Sequence, residues 1–164
     1  MSKKRNLVVV RSGKNSLHNN WLNQPYEKRL FDTIISFYDE DAFNSFTPSE
    51  GIEKILQTDG GKWDNINRVI SQNSLGQYDY IWFPDDDILI DGSSTNKMFE
   101  MAKKYDLRVC QPALTPDSYF SFLELVCVKN MKLRYTAFIE VMAPCLHKDV
   151  IAEISDLFLE SPSG

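Results

Sequence analysis

The stretch "YDYIWFPDDDILIDG", residues 78–92, contains three consecutive aspartates, Asp85 to Asp87, between two apolar runs. Neighbouring carboxylates repel one another, and this crowding disfavours the ionisation of all three groups. The residues before the aspartates, "DYIWF", are apolar and rich in aromatic and β-branched side chains, which is typical of a buried strand. We therefore predict that the aspartates follow the carboxyl end of a strand in the core.

Other segments have a similar strand-like pattern. Apolar and β-branched residues predict strands at "NLVVV" (6–10), "TIISFYD" (33–39) and "LRVCQPAL" (107–114). Two later segments, "YFSFLELVCVKN" (119–130) and "LRYTAFIEVMAP" (133–144), mix alternating and continuous apolar residues. We predict that these two segments are strands as well.

Segments with helical spacing separate most of these strands. The predicted helices carry apolar residues at Trp21, Leu22, Tyr26 and Leu30; at Ile52, Ile55 and Leu56; at Trp63, Ile66 and Ile70; within 91–106; and at Val150, Ile151, Ile154, Leu157 and Phe158. This alternation predicts an α/β fold with a mostly parallel sheet flanked by helices. The chain of 164 residues is long enough for one such domain.

The composition disfavours several functional classes. The 18 basic and 23 acidic residues give a net charge of −5, which argues against a general nucleic-acid surface. No apolar segment approaches the roughly 18 residues of a transmembrane helix. The three cysteines form no C-x-x-C pair, so a zinc site and a disulfide framework are disfavoured. Buried, reduced thiols predict a cytoplasmic protein.

Polar residues follow the other predicted strands as well. Arg11 and Ser12 come directly after the first strand, and Asp39 ends the second. Ligands of open α/β sheets bind outside the carboxyl ends of the strands, where the aspartate triplet is also predicted. We therefore expect these groups to share one binding region.

The aspartate triplet has the chemistry of a site for a hard cation. Asp85 and Asp87 are one residue apart on a turn and can point toward one Mn²⁺ or Mg²⁺ ion. The ion would neutralise the repulsion between the carboxylates and would bridge to a diphosphate. A solvated acidic turn is the alternative interpretation, but apolar residues flank the triplet closely on both sides.

Two other interpretations of the triplet have weaker support. An EF-hand loop needs oxygen ligands at fixed positions, and Leu89 falls on one of them whether the loop starts at Asp85 or at Asp87. In a haloacid-dehalogenase-like phosphatase, Asp85 would be the nucleophile and Asp87 the general acid. That motif normally ends the first strand of the core, whereas here at least two predicted strands precede it.

The segment "YDYIWFPDDDILID" resembles the D-x-D segment of nucleotide-sugar glycosyltransferases with the GT-A fold. Four further segments, "LVVVRSGKNSLHNNWL", "GGKWDNINRVI", "QPALTPDSYFSF" and "RYTAFIEVMAP", together resemble a family of GT-A-like proteins of unknown function. The resemblance implies a GT-A-like (Rossmann-like) fold and Mn²⁺ or Mg²⁺ as the cofactor. It also implies a nucleotide-sugar donor, with a UDP-sugar favoured, and a glycan or another hydroxyl compound as the acceptor.

The resemblance implies roles for individual residues around the triplet. Asp85 and Asp87 would be the acids of the D-x-D motif, one near the ribose and one on the metal, with Asp86 between them. Lys62 and Asn65 resemble a helix start that faces the donor. A helix break with a surface lysine is the simpler interpretation of "DGGK" (59–62).

The nucleoside would be bordered by residues from the first two strands. The resemblance implies that Arg11 and Ser12 lie beside the nucleoside and that Asp39 accepts hydrogen bonds from the base. Arg11 as a solvated surface charge is the alternative. The two histidines, His18 and His147, are predicted to be structural or surface residues.

Glu140 interrupts the apolar run "TAFIEVMAP" and is the candidate catalytic residue. A buried carboxylate without a partner is costly, so Glu140 either pairs with Arg134 or Lys132 or faces the acceptor side of the cleft. The related family has a Gly-Trp-Gly segment and an acid after the last helix, where an inverting transferase needs its base. Here the chain ends in "LESPSG". We therefore expect one GT-A-like domain over residues 1–164 without that segment, and a donor-binding remnant or interaction module without transfer activity is the alternative.

Overall fold

The computed structural model describes residues 4–73 and 75–160. Six strands form one sheet in the order β3-β2-β1-β4-β6-β5. The strands are β1 (Asn6–Ser12), β2 (Phe31–Phe37), β3 (Ile52–Leu56), β4 (Tyr80–Trp82), β5 (Val109–Cys110) and β6 (Cys145–His147). The pairs of β1 with β2, β1 with β4 and β2 with β3 are parallel, whereas β6 runs antiparallel to both of its neighbours.

The helices cover both faces of this sheet. They are α1 (His18–Trp21), α2 (Glu40–Ser45), α3 (Lys62–Gln72), α4 (Gly92–Lys104), α5 (Lys148–Ile154) and α6 (Leu157–Glu160), with short 3-10 turns at Tyr26–Lys28, Leu75–Gln77 and Leu123–Leu125. The predicted fold class, an α/β domain with a mostly parallel sheet, is confirmed. No helix in residues 4–73 and 75–160 has the length and apolar character needed to cross a membrane.

The central strand β1 contributes to two hydrophobic cores because its side chains alternate between the faces of the sheet. Leu7 and Val9 pack with α3 and α5 on one face. Val8 and Val10 pack with α1 and α4 on the other face. This burial on both faces explains why β1 is a continuous apolar run in the sequence.

The prediction of a helix at residues 52–56 was wrong. This segment is the edge strand β3, which pairs in parallel with β2. Ile52 and Ile55 are spaced as on one face of a helix, but in the strand they pack against opposite cores. Because β3 is partly covered on both faces of the sheet, apolar residues three positions apart can each pack against a core. This produces the same sequence spacing as an amphipathic helix.

The helix predicted after β1 is much shorter than expected. It ends at Trp21, and Tyr26 lies in a separate 3-10 turn. Pro25 disfavours helical backbone at the residue before it, so the helix cannot continue through this point. The short helix still buries Trp21 against Trp82, with the ring centroids 5.2 Å apart.

The strands predicted at 119–130 and 133–144 were also wrong. Residues 111–144, which we call the excursion segment, leave the sheet after β5 and return to it at β6. Its described structure is a 3-10 turn and an isolated bridge between Leu114 and Val126. The pattern of apolar residues was strand-like, but the segment finds no partner strand, and Tyr119 and Tyr135 are exposed.

The helix predicted from His147 is present but begins after an unpredicted strand. Residues Cys145–His147 form β6, and a turn divides the helical segment into α5 and α6. Phe158 is buried and stacks on Trp63 with the ring centroids 4.9 Å apart. This contact fixes the end of the described chain against α3.

Candidate functional site

The strand order predicts a binding crevice between β1 and β4. From β1 the chain continues to β2 and β3 on one side, whereas β4 lies on the other side. Such a reversal of strand order opens a crevice at the carboxyl ends of the two strands. The loop beginning at Gly13 and the aspartate triplet both lie at this point, and the triplet follows the fourth strand of the chain. The phosphatase alternative, with its motif after the first strand, therefore does not match this fold.

Asp86 connects the two loops that border the crevice. Its carboxylate Oδ2 accepts a hydrogen bond from the Gly13 backbone N–H at 3.0 Å. Its backbone oxygen accepts another from the Leu17 N–H at 2.6 Å. Burial raises the pKa of Asp86, and the hydrogen bond from Gly13 opposes that shift. The middle aspartate therefore holds the loop after β1 against the loop after β4.

Asp85 forms an ion pair with Lys62 from the first turn of α3. The Lys62 Nζ lies 2.7 Å from Asp85 Oδ1 and donates a second hydrogen bond to the Val141 carbonyl at 2.5 Å. The Lys62 side chain is 18% exposed, and burial lowers its pKa while Asp85 raises it. The backbone N–H of Asp85 donates to the Met142 carbonyl at 2.7 Å. The end of the excursion segment is thereby attached to the aspartate triplet.

Asp87 is exposed and adds a second carboxylate to this edge of the crevice. It is close enough to Lys62 to favour the charged form of the ammonium group. Within the described residues, no three His, Cys, Asp or Glu side chains form a ready cluster for a metal ion. Two carboxylates suffice for Mg²⁺ when water and phosphate oxygens complete the coordination. Asp85 and Asp87 are therefore the carboxylates at this edge that could supply such oxygen ligands.

Arg11 and Tyr38 form the opposite border of the crevice. The Arg11 guanidinium carbon lies 5.3 Å from the centroid of the Tyr38 ring, and its Nη1 donates to the Gln57 carbonyl at 3.3 Å. Burial lowers the pKa of Arg11, and burial and Asp86 raise the pKa of Tyr38. Tyr38 is 45% exposed, so part of its side chain is accessible to a ligand.

Tyr38 was not identified from the sequence as a site residue. The signal that could have found it is its position, because an aromatic residue directly follows the last residue of β2. The ring lies over Gly13, where an added Cβ would be 2.3 Å from the Tyr38 hydroxyl oxygen. Only a residue without a Cβ permits this close approach.

Asp39 lies beside Tyr38 and is the N-cap of α2. Its Oδ1 accepts a hydrogen bond from the Ala42 N–H at 2.8 Å, which explains why the helix begins at Glu40. The side chain is half-buried. The other carboxylate oxygen is the one that could accept a hydrogen bond from a ligand.

Two residues that were expected to face the donor have buried side chains. Ser12 is fully buried, and its Oγ lies 2.9 Å from His18 Nδ1. Asn65 is 1% exposed and belongs to the inner face of α3. The structure therefore brings together Asp85, Asp86 and Lys62 at the crevice, while the side chains of Ser12 and Asn65 lie beneath it.

His18 supports the loop that carries Gly13. Its Nδ1 lies 2.6 Å from Ser16 Oγ, and its ring packs edge-on against Phe37 and Phe46. Burial lowers the pKa of His18 to about 4, so the ring is neutral at pH 7. This environment is consistent with the predicted structural role.

Glu140 lies one residue before the carbonyl that binds Lys62. Its Oε2 is buried and has no hydrogen-bond partner among the described residues. Arg134 donates instead to the Val126 carbonyl at 3.0 Å, and no ion pair of Glu140 with Arg134 or Lys132 is formed in the part of the chain that the structure describes. Of the two alternatives for Glu140, the internal ion pair is therefore not observed.

The fold is similar to that of two solved proteins. One is the 1–349 fragment of TarS from S. aureus, with a TM-score of 0.58 and 12% identity over 91% of this chain and 48% of that one. The other is a 4-diphosphocytidyl-2C-methyl-D-erythritol synthase from Anaerococcus prevotii, with a TM-score of 0.59 and 9% identity over 98% and 78% of the two chains. The chain thus spans about half the length of the TarS fragment.

These similarities confirm the predicted GT-A-like (Rossmann-like) fold. No curated protein matches the chain in sequence. A family match covers residues 1–128, which include β1 to β5, the aspartate triplet, Lys62 and Tyr38. The chain belongs to this family, which is described as "Protein of unknown function (DUF707)".

Proposed function

We propose that the chain is a metal-dependent glycosyltransferase domain that binds a nucleotide-sugar, with a UDP-sugar favoured as the donor. The observation that carries the proposal is the ion pair of Lys62 with Asp85 at the crevice between β1 and β4. It combines carboxylate oxygens for a hard cation with a cationic group for phosphate. The carboxylate and the ammonium group both lie near the switch point between β1 and β4, where α/β sheets bind their ligands.

Asp85 and Asp87 would hold Mn²⁺ or Mg²⁺ in this proposal. When bound, the ion supplies positive charge that stabilises a departing nucleoside diphosphate. Lys62 adds a second positive charge at the same edge of the crevice, since its ammonium group lies 2.7 Å from Asp85. Asp86 acts through the loops, because its hydrogen bonds hold Gly13 and Leu17 in place.

The opposite border of the crevice suits a nucleobase. Tyr38 is a partly exposed aromatic side chain that can contact the base, and Arg11 lies against its ring. The second oxygen of Asp39 can accept a hydrogen bond from a base N–H, such as the N3–H of uracil. Ser12 contributes through its backbone, since its carbonyl accepts a hydrogen bond from the Tyr38 N–H at 3.1 Å.

Glu140 is the candidate general base for the acceptor hydroxyl, of a glycan or another alcohol. Its buried Oε2 has no partner in the described residues, and it neighbours Val141, which binds Lys62. A general base must reach the proton that it removes. A domain that binds the donor without transferring the sugar is the competing proposal, and turnover separates the two.

Calorimetry with UDP, with and without Mn²⁺, tests donor binding. We expect binding that requires Mn²⁺ and weakens at least about tenfold in the double variant Asp85→Asn/Asp87→Asn, because lost charge-assisted contacts each contribute about 1.5–3 kcal/mol. Asp156→Asn, an exposed carboxylate of the turn between α5 and α6, is the matched control. Unchanged Mn²⁺-dependent binding in the double variant would remove the triplet from the proposal.

Turnover assays separate the remaining functions. Release of sugar from a UDP-sugar that stops in Glu140→Gln supports the transferase, whereas binding without release supports the donor-binding domain. Cytidylyl transfer is the second candidate, because the synthase that shares this fold over 98% of the chain is named for a diphosphocytidyl product. Tighter binding of CTP than of UDP, with release of pyrophosphate, would favour this candidate.

A further inference from the structure

Two cysteines lie at the base of the excursion segment. The chain leaves the sheet at Cys110, the last residue of β5, and returns at Cys145, the first residue of β6. These two residues are directly opposite each other in the antiparallel pair, and both thiols are free. Their spacing in the sequence gives no sign of this pairing, because 34 residues (111–144) separate them.

The strand register places the two thiols at a separation that a disulfide can bridge. The His147 N–H donates to the Arg108 carbonyl at 2.8 Å, and the pair of Cys110 and Cys145 lies two residues further along the same ladder. Opposite residues at such hydrogen-bonded positions have Cα atoms about 5.5 Å apart and side chains on the same face of the sheet. Disulfides span Cα separations of about 4.4–6.8 Å.

The two thiols differ in their access to solvent. Cys145 is fully buried in the core that contains Trp82. Cys110 is half-buried and lines a cavity of about 390 Å³ that the excursion segment forms. The hydrogen bond with Cys145 lowers the pKa of Cys110, whereas burial raises the pKa of Cys145. A small oxidant therefore reaches the more acidic thiol first, with the second thiol behind it.

We propose that Cys110 and Cys145 form a redox-active pair in which a hydroperoxide oxidises Cys110 and Cys145 closes the disulfide. The Cys110 thiolate attacks one peroxide oxygen, the O–O bond breaks, and water or an alcohol leaves. The Cys145 thiol then attacks the sulfur of the resulting sulfenic acid and forms the S–S bond, and its proton leaves with the sulfenic hydroxyl group as one molecule of water. Two electrons pass from the two sulfurs to the peroxide.

The disulfide would join the two ends of the excursion segment. The last residues of this segment contact the site at two points: the Met142 carbonyl accepts a hydrogen bond from the Asp85 N–H, and the Val141 carbonyl accepts one from Lys62, the ion-pair partner of Asp85. Closing the base of the segment restricts how far these residues can move from the crevice. Oxidation would therefore act on the Glu140 side of the site without changing a crevice residue.

Titration with hydrogen peroxide tests the proposal in the full chain. In a Cys127→Ser background, which removes the exposed third thiol, we expect one intramolecular disulfide and a mass lower by two hydrogen atoms. Peptide mapping should join Cys110 to Cys145, and dithiothreitol should restore both thiols. Cys110→Ser should abolish the disulfide and leave Cys145 unreactive in the native protein. Peroxide consumption that ends in sulfinic acid, or in a disulfide between two chains, would overturn the proposal.

Thermal unfolding of the oxidised protein gives a second measurement that does not depend on the variants. A disulfide across this segment should raise the Tm by roughly 5–15 °C relative to the reduced protein, because it removes conformational freedom from the unfolded chain. If peptide mapping shows that the disulfide has formed completely but the Tm is unchanged or lower, the positions of Cys110 and Cys145 do not match disulfide geometry. Neither measurement uses UDP, so the result is independent of the proposed function.

Discussion

The loops after β1 and β4 are built differently from the excursion segment, although both border the aspartate triplet. The two loops are joined to each other by backbone and carboxylate hydrogen bonds at Asp86 and lie on the buried ends of central strands. The excursion segment contains little regular structure, and Tyr119 and Tyr135 are 89% and 80% exposed. Its Met142 carbonyl accepts a hydrogen bond from Asp85 of the triplet, and its Val141 carbonyl accepts one from Lys62, which pairs with Asp85.

This difference indicates how the two regions respond to change. The loops after β1 and β4, which we call the donor side because the proposal assigns the donor to them, depend on the sheet for their geometry. This geometry should therefore be lost only when the sheet is destabilised. The Glu140 side depends on a segment with few buried side chains, so it should tolerate substitutions that leave its two ends in place. The following predictions test this separation, in order of decreasing effect.

The largest effect is expected for Trp82→Ala. Trp82 is fully buried, packs on Trp21, and donates from its Nε1 to the Ala143 carbonyl at 3.1 Å. Truncation of a buried tryptophan costs about 3–5 kcal/mol of unfolding free energy, because it leaves a cavity. Urea denaturation should show this loss.

Tyr135→Ala is the matched control in the excursion segment. Its side chain is 80% exposed, so the unfolding free energy should change by no more than about 0.5 kcal/mol. A loss from Tyr135→Ala comparable with that from Trp82→Ala would show that the excursion segment belongs to the same cooperative core, and the separation of the two regions would be wrong.

Acid should destabilise the donor side through His18. Its pKa is about 4 in the folded chain and 6.5 in the reference state, so the unfolded chain takes up the proton first as the pH falls. This contribution to stability is complete above pH 6.5 and is lost between pH 6.5 and 4, by at most about 3 kcal/mol. Denaturation at pH 7 and at pH 4.5 measures the change.

His18→Gln separates this effect from the titration of the carboxylates. The variant should lose less unfolding free energy between the two pH values than the wild-type chain does. If the two chains have the same pH dependence, His18 is not held neutral by its contacts with Ser12, Ser16, Phe37 and Phe46, and the support that it gives to the loop after β1 must be revised.

The sequence predicted β1, β2, β4, α3 and α4 because their patterns depend on local periodicity and burial. It failed at β3, where Ile52 and Ile55 lie on opposite faces of an edge strand, and in the excursion segment, where no partner strand is available. Strand pairing is a long-range property, which also explains why the opposition of Cys110 and Cys145 was not visible.

The candidate site was predictable where position along a strand determines it. Asp85 and Lys62 lie together as expected, since Asp85 lies in the loop after β4 and Lys62 begins the preceding helix, α3. The directions of side chains were not predictable: Ser12 turns toward His18, and Asn65 is buried. Tyr38 was missed because the position of its ring depends on the absence of a Cβ at Gly13. Gly13 follows the neighbouring strand β1 and is distant from Tyr38 in the sequence.

Lys62→Met should weaken the binding of UDP with Mn²⁺ by about 10- to 100-fold. The ammonium group would be lost from the phosphate edge of the crevice, and a charge-assisted hydrogen bond is worth about 1.5–3 kcal/mol. Calorimetry at pH 7 measures the change. Lys97→Met, an exposed lysine of α4, is the control and should bind as the wild-type chain does. Equal affinity for Lys62→Met would mean that Lys62 serves only to neutralise Asp85 and to hold Val141.

The smallest effect is expected for Gly13→Ala, which tests how Tyr38 is positioned. A methyl group at this position would lie 2.3–2.6 Å from atoms of the Tyr38 ring, so the ring must move away from the loop. The ring is partly exposed, and its displacement should cost about 1 kcal/mol or less of unfolding free energy. The affinity for UDP should fall by up to about tenfold, the value of one stacking contact.

Gly76→Ala is the control, because nothing lies within 4 Å of an added Cβ there. Tyr38→Ala should lower the affinity as much as Gly13→Ala does, and the double variant should be no worse than either one. Two substitutions that remove the same contact are not additive. Additive losses would mean that Gly13 and Tyr38 act on the ligand separately, with Gly13 acting through its hydrogen bond to Asp86. The nucleobase would then bind without contacting the Tyr38 ring, and the loop after β1 would act on the ligand only through its backbone.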